Sequence, residues 1–185
     1  MGKWTARVAR NLSEKYASRG VDVLYAHGRR SSDPEDQLGL IVSWFGSVYR
    51  RDAWLAFLDI AVVSRDSDNA LVLVEIEEAI ATPKKLMADV VTTLIGDHVT
   101  FQSKRELKVG SWTRLVVLSK ARKTEARSIR LELLQERLNQ IRGQLSTANA
   151  SIGWVGMGTF QNESDLEARL TRQIEEALAL NPSQA

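Results

Sequence analysis

Apolar residues recur along this chain with two periods, and the switches between them divide it into elements. Residues 3 to 18 carry Trp4, Val8, Leu12 and Tyr16 at helical spacing, and Gly20 then supplies a stop. VDVLYAHG (21–28) predicts a short strand. SSDPEDQLGLIVSWFG opens with a polar cap, a Pro and acids in the first turn, so a helix is expected from about 34 to 45, with LIVSWF as the alternative strand. AWLAFLDIAVV (53–63) and ALVLVEIE (70–77) are β-branched and apolar, and SRDSDN between them predicts a hairpin. In TPKKLMADVVTTLIGD, Thr82 is the cap, Pro83 takes the first helical position, and Leu86, Val90 and Leu94 share one face. WTRLVVLSK (112–120) predicts a buried strand, and residues 120–145 a long amphipathic helix ending near Gly143. SIGWVGMGTF (151–160) predicts another strand, and SDLEARLTRQIEEALAL a closing helix with the capping pattern S-x-x-E.

Helices on both sides of the strand block predict an α/β fold, a three-layer sandwich around a mixed β-sheet. No repeat or low-complexity linker interrupts the 185 residues, so a single domain is expected over 1–185. The chain has no Cys, which excludes disulfides and thiolate metal sites and fits a reducing compartment. The first residues lack the apolar core of a signal peptide, and no apolar run approaches the roughly 20 residues of a membrane span. A cytoplasmic protein without membrane association is therefore expected.

Charge changes the picture more than composition does. Residues 101–130 hold nine Lys or Arg against two acids, and residues 51–100 hold nine acids against four bases. An acidic centre beside a basic flank suits a metal-dependent enzyme acting on a polyanion. Three of those acids sit inside the strand-like runs: Asp59 in the first, Glu75 and Glu77 at the end of the second. Alternation along a strand puts Glu75 and Glu77 on one face with Leu71 and Leu73, and puts Asp59 with Phe57, Ala61 and Val63. If the hairpin brings these faces together, the acids approach one another, repel, and raise each other's pKa. A hard divalent cation such as Mg²⁺ or Mn²⁺ relieves that conflict, and it can activate water beside a scissile phosphate.

An acid in one strand, a short hairpin, acid-x-residue at the end of the next strand, then a helix: this arrangement resembles the PD-(D/E)xK nucleases, the restriction-endonuclease-like phosphodiesterases. Their common core runs helix, three strands, helix, strand, and residues 3–119 match that order if 34–45 is an inserted helix. The resemblance implies that Asp59 and Glu75 are metal ligands and that Ile76 offers a backbone carbonyl to the metal. It also implies that Glu14, on the first helix, is an accessory acid. Leu58 stands where the name-giving Pro would be, and Glu77 where the Lys should be. Lys84 or Lys85, in the following helix, would then take over from the missing Lys, while Glu77 would act as a ligand or general base. The residues from about 120 to 180 form a helix-strand-helix extension. The function implied is DNA phosphodiester hydrolysis. The absent Lys favours the alternative, a catalytically inactive module that binds nucleic acid or protein.

Phosphate contacts are expected at Arg29, Arg30, Arg50, Arg51, Lys104, Arg105, Lys120, Arg122 and Lys123. Trp44 and Trp154 are candidates for base stacking, whereas Trp54 and Trp112 adjoin strands and read as core. His27 and His98 have no zinc-hydrolase spacing, and Gly153, Gly156 and Gly158 have the wrong spacing for a phosphate loop. They suggest a strand lying close against another backbone. Leu131, Leu134, Leu138, Ile141 and Leu145 form a narrow stripe on the 121–145 helix. It either packs on its own sheet or forms a homodimer seam.

Overall fold

The computed structural model describes residues 2–25, 39–44, 51–102, 105–121, 128–145 and 147–180, with only the backbone of Arg51 and of 128–130. In chain order these form α1 (Lys3–Tyr16), β1 (Val21–Tyr25), β2 (Leu40–Ser43), β3 (Trp54–Leu58), β4 (Ile60–Ser64), β5 (Ala70–Glu77) and α2 (Pro83–Leu94). There follow β6 (His98–Phe101), β7 (Arg105–Leu107), β8 (Arg114–Lys120), α3 (Ser128–Ile141), β9 (Trp154–Phe160) and α4 (Glu163–Leu180). The protein is thus α/β, with a mixed five-stranded sheet ordered β1-β4-β5-β8-β9 and a second, four-stranded sheet ordered β3-β2-β6-β7. In the large sheet β1-β4-β5 pair antiparallel while β5-β8 and β8-β9 pair parallel; the small sheet is antiparallel throughout.

Strand alternation sorts the core into two layers. Ile60, Val62, Val74, Val116 and Leu118 turn toward α1 and α4, where they meet Leu12, Tyr16, Leu170 and Ile174. Ala61, Val63, Leu73, Leu115 and Val117 turn the other way, toward Leu86 and Val90 of α2, Leu131 and Leu138 of α3, and Leu40 and Val99 of the small sheet. Leu71 breaks the expected alternation. Val62 pairs with Val72 and Val63 with Ala70, so Leu71 is the extra residue of a bulge and joins Val72 on the α1 side.

Three expectations are corrected. Residues 53–63 are two strands rather than one, because the chain bends at Asp59 and β3 leaves for the small sheet. LIVS is a strand, not the end of a helix; Leu40, Ile41, Val42 and Ser43 are all buried between β3 and β6, and the predicted helix start at 34–38 lies outside the described residues. The strands β6 and β7 were not expected at all. They are four and three residues long, too short to show a period, and exist by pairing with β2 and each other.

The helix α3 guards the open edge of the large sheet. Asn139 donates to the Val155 carbonyl at 2.7 Å and accepts the Val155 N–H at 3.0 Å; Gln135 accepts the Met157 N–H at 2.8 Å. Two side-chain amides thus satisfy backbone groups that an edge strand otherwise offers to another chain. Gly153, just before β9, is required by closeness, since a Cβ there would strike the Ser111 carbonyl. The α3 stripe serves its own sheet: Leu131 and Leu138 are buried and Leu134 half-buried, while Ile141 and Leu145 are exposed. Among the described residues no helix is long and apolar enough to cross a membrane.

Asn139→Ala strands both backbone groups of Val155, so it is expected to cost about 1–3 kcal/mol. Gln140→Ala, on the exposed face of the same helix, is expected to stay within about 0.5 kcal/mol. Urea unfolding of both variants, with unchanged slope, checks the difference.

Candidate functional site

The carboxylates converge at the end of β5 because of the pleat. Val74 and Ile76 face α1 and α4, so Glu75 and Glu77 face α2. Ile60 pairs with Val74, which sets Asp59 beside Glu75 on the adjoining strand. The bend at Asp59 is held at both ends. Its N–H donates to the Val74 carbonyl at 3.0 Å, and its Oδ2 accepts the Ile76 N–H at 2.9 Å. The side chain therefore continues the ladder where the backbone has turned away.

The helix α2 supplies the other wall. Thr82 caps it, accepting the Lys85 N–H at 3.3 Å, and Pro83 occupies the first turn as predicted. Lys85 then reaches back to form an ion pair with Glu77. One turn further on, Asp89 adds a third negative charge beside Asp59 and Glu75. A cleft of about 180 Å³ runs between β3 and α2, with Glu75, Asp89, Thr92 and Thr93 among its lining residues.

Burial dominates the electrostatics here. It pushes Glu75 up to about 9, with the neighbouring Asp59 and Asp89 charges adding and Lys85 opposing. It pushes Asp59 up to about 6, against the stabilising Ile76 hydrogen bond. Asp89 is also raised, again by burial and against Lys85. Glu75 Oε2 is buried and has no hydrogen-bond partner. Such an oxygen costs free energy until a proton or a cation reaches it. Asp59 and Glu75 form an all-oxygen donor set, and Mg²⁺ commonly takes just one or two protein carboxylates beside waters and phosphates, so the pair fits a hard divalent ion. Among the described residues, no group of three His, Asp or Glu side chains is arranged to hold a metal.

Of the other predicted site residues, Lys84 is exposed on the first turn of α2. Glu14 is exposed on α1, nine residues past Thr5, which touches the carboxylate end of the sheet; at the helical rise that is about 13 Å away. The fold does not bring it to Asp59. Arg105 is committed elsewhere, to Asp68 at 2.6 Å and Asp22 at 3.2 Å, which together hold its pKa above the ordinary value. Lys120 stands over the Trp4 ring at 4.4 Å, at the same end of the sheet as Glu77. Arg29, Arg30, Arg50, Lys104, Arg122, Lys123 and His27 lie outside the described residues, as does the side chain of Arg51. His98 opens β6 and meets Glu106 at 2.7 Å. Trp112 and Trp54 are half-buried; Trp154 is half-buried beneath Arg114, 4.1 Å from its ring.

Sequence reasoning missed two acids. Asp89 was legible as the residue four after Lys85 on one helix face. Glu78 accepts the Thr5 N–H at 2.7 Å and its hydroxyl at 2.9 Å. It caps α1, which has no cap of its own at Gly2, and only glycine leaves room for the carboxylate there. Comparison with known proteins finds no family model, no curated protein and no solved structure that matches this chain.

Between the ordinary glutamate range and about pH 9 the native Glu75 keeps a proton that the unfolded chain has released. The native state then binds more protons, so stability falls as pH rises across that window, by up to about 1.4 kcal/mol per unit for one group. Glu75→Gln is expected to flatten this slope in metal-free protein and to be more stable than the parent near pH 8. Chemical denaturation at several pH values in chelator checks it.

Proposed function

We propose that this chain is a metal-dependent DNA phosphodiesterase in which Asp59 and Glu75 hold Mg²⁺ or Mn²⁺. The observation that carries the reading is the half-buried pair itself, with the buried Glu75 Oε2 unpartnered beside a second carboxylate. The element order supports it. Helix, three strands, helix and strand correspond to α1, β1, β4, β5, α2 and β8, all in or against one sheet. The strands β2-β3 and β6-β7 are then two insertions that pair with each other, and the core is restriction-endonuclease-like.

The Ile76 carbonyl follows Glu75 on β5 and would complete the protein ligands. A bound ion would supply an activated water and stabilise charge on the scissile phosphate. Lys85 holds Glu77 and acts on Glu75 from α2, so it replaces the motif Lys. Its charge already lowers the pKa of Glu75, which favours the ionised, metal-binding form. Lys84, the other candidate for that role, is exposed on the same turn. A homodimer through α3 would have Leu133, Ile141 and Leu145 to bury. One observation favours the catalytically inactive reading, a module for binding nucleic acid or protein: Glu77, in the motif Lys position, is itself neutralised by Lys85.

Cleavage of linear, supercoiled, single-stranded and branched DNA with Mg²⁺ and Mn²⁺ is the test. Asp59→Ala and Glu75→Ala are expected to abolish cleavage, and Lys85→Ala to slow it roughly 10²–10³-fold, the usual loss for a preorganised electrostatic partner. No cleavage by the parent, with no heat of divalent-ion binding in calorimetry, would overturn the metal reading and leave the binding module.

A further inference from the structure

We propose that Phe57, braced by Trp54, is the stacking platform for an unpaired nucleobase, so that the site takes single-stranded nucleic acid. This rests on the nuclease reading and names its substrate class. The ring of Phe57 is 54% exposed although its strand neighbour Ile41 is fully buried. Large aromatics left in water beside a cleft ask for a ligand with an apolar face.

The backbone of β3 is bent to make the platform. Val42 pairs with Ala56 and Ser43 with Trp54, so Leu55 is the extra residue of a bulge. In a regular strand residues 54 and 57, three apart, point to opposite faces. The bulge turns Trp54 round to Phe57, and the rings meet edge to face at 5.7 Å and 85°. That contact fixes the Phe57 ring while leaving more than half of it in solvent. Trp44, 40% exposed, adjoins the same strand end, where its N–H donates to the Ala53 carbonyl.

Position ties the platform to the acids. β3 forms one wall of the cleft that Glu75 lines, and Asp59 follows Phe57 by two residues, about 7 Å along an extended chain. Two aromatic positions and an acidic one thus succeed one another from Trp54 to Asp59, which sets a base-stacking surface next to the carboxylates. An unpaired base is the occupant because a duplex already covers both faces of each base, leaving none for Phe57.

The test is binding of a fluorescein-labelled twelve-nucleotide oligo-dT and of a blunt hairpin duplex, by anisotropy in chelator so that nothing is cut. The single strand is expected to bind more tightly and to quench tryptophan emission. Phe57→Ala should weaken it about 5- to 150-fold, the range for one stacked base, leave the hairpin unchanged, and be rescued by Phe57→Trp. Equal loss on both probes, no loss on either, or no binding of the single strand overturns the proposal. Phe57 is exposed, so its truncation leaves the core intact, and thermal melts of each variant verify it. The two readings fail separately: stacking kept in a parent protein that never cleaves DNA removes the nuclease alone, and cleavage insensitive to Phe57→Ala removes the platform alone.

Discussion

The hydrogen bond from the Ile76 N–H to Asp59 Oδ2 is the constraint on which the rest of this structure turns. At Asp59 one continuous apolar run stops being one strand. Ile60–Ser64 stays in the large sheet, and Trp54–Leu58 crosses to the small one. A strand that left its partner there would orphan backbone groups of β5 in the interior, at a cost of about 1–3 kcal/mol each. The Asp59 side chain removes that penalty by standing in for the departed backbone. The same contact points a carboxylate into the space beside Glu75, so the device that splits the sheets also assembles the acid pair.

Two further contacts hold the ends of that pair in place from opposite sides. Glu78 continues from β5 into the N-terminus of α1, where Thr5 donates twice to it. Glu77 turns the other way and is held by Lys85 of α2. Successive residues of one strand thus pin the two helical layers to the sheet, and Glu75 is left between them without a partner for Oε2. Each neighbour has its charge answered, whereas Glu75 does not. Among the described residues, the buried carboxylate oxygen without a partner thus belongs to a residue that lines the cleft.

What the sequence revealed, and what it hid, follows from which interactions are local. The helices α1, α2 and α4 and the strands β5, β8 and β9 were legible because each carries a full period of apolar residues or a cap within its own span. Alternation alone placed Glu75 and Glu77 on one face, and register then set Asp59 beside Glu75. The break at Asp59 was not legible, since its cause lies seventeen residues away at the Ile76 N–H. Strands β6 and β7 were hidden for the same reason, being made by pairing rather than propensity, whereas LIVS already stood as an alternative strand. Glu14 carried a role borrowed from the resemblance, and helix length keeps it from the site; Arg105 looked like a free cation until Asp22 and Asp68 were seen around it.

The small sheet explains why the two bulges matter together. The bulge at Leu71 keeps β5 fully apolar on the α1 side up to the point where the acids begin. The bulge at Leu55 turns Trp54 outward on the strand that ends at Asp59. Had either strand kept regular register, alternation would have carried an apolar side chain to the wrong layer or separated the two aromatics. Both irregularities flank the same bend, on the two strands that meet at the acid pair. Together the two shifts leave the aromatic pair of β3 and the carboxylates Asp59 and Glu75 on adjoining stretches of chain.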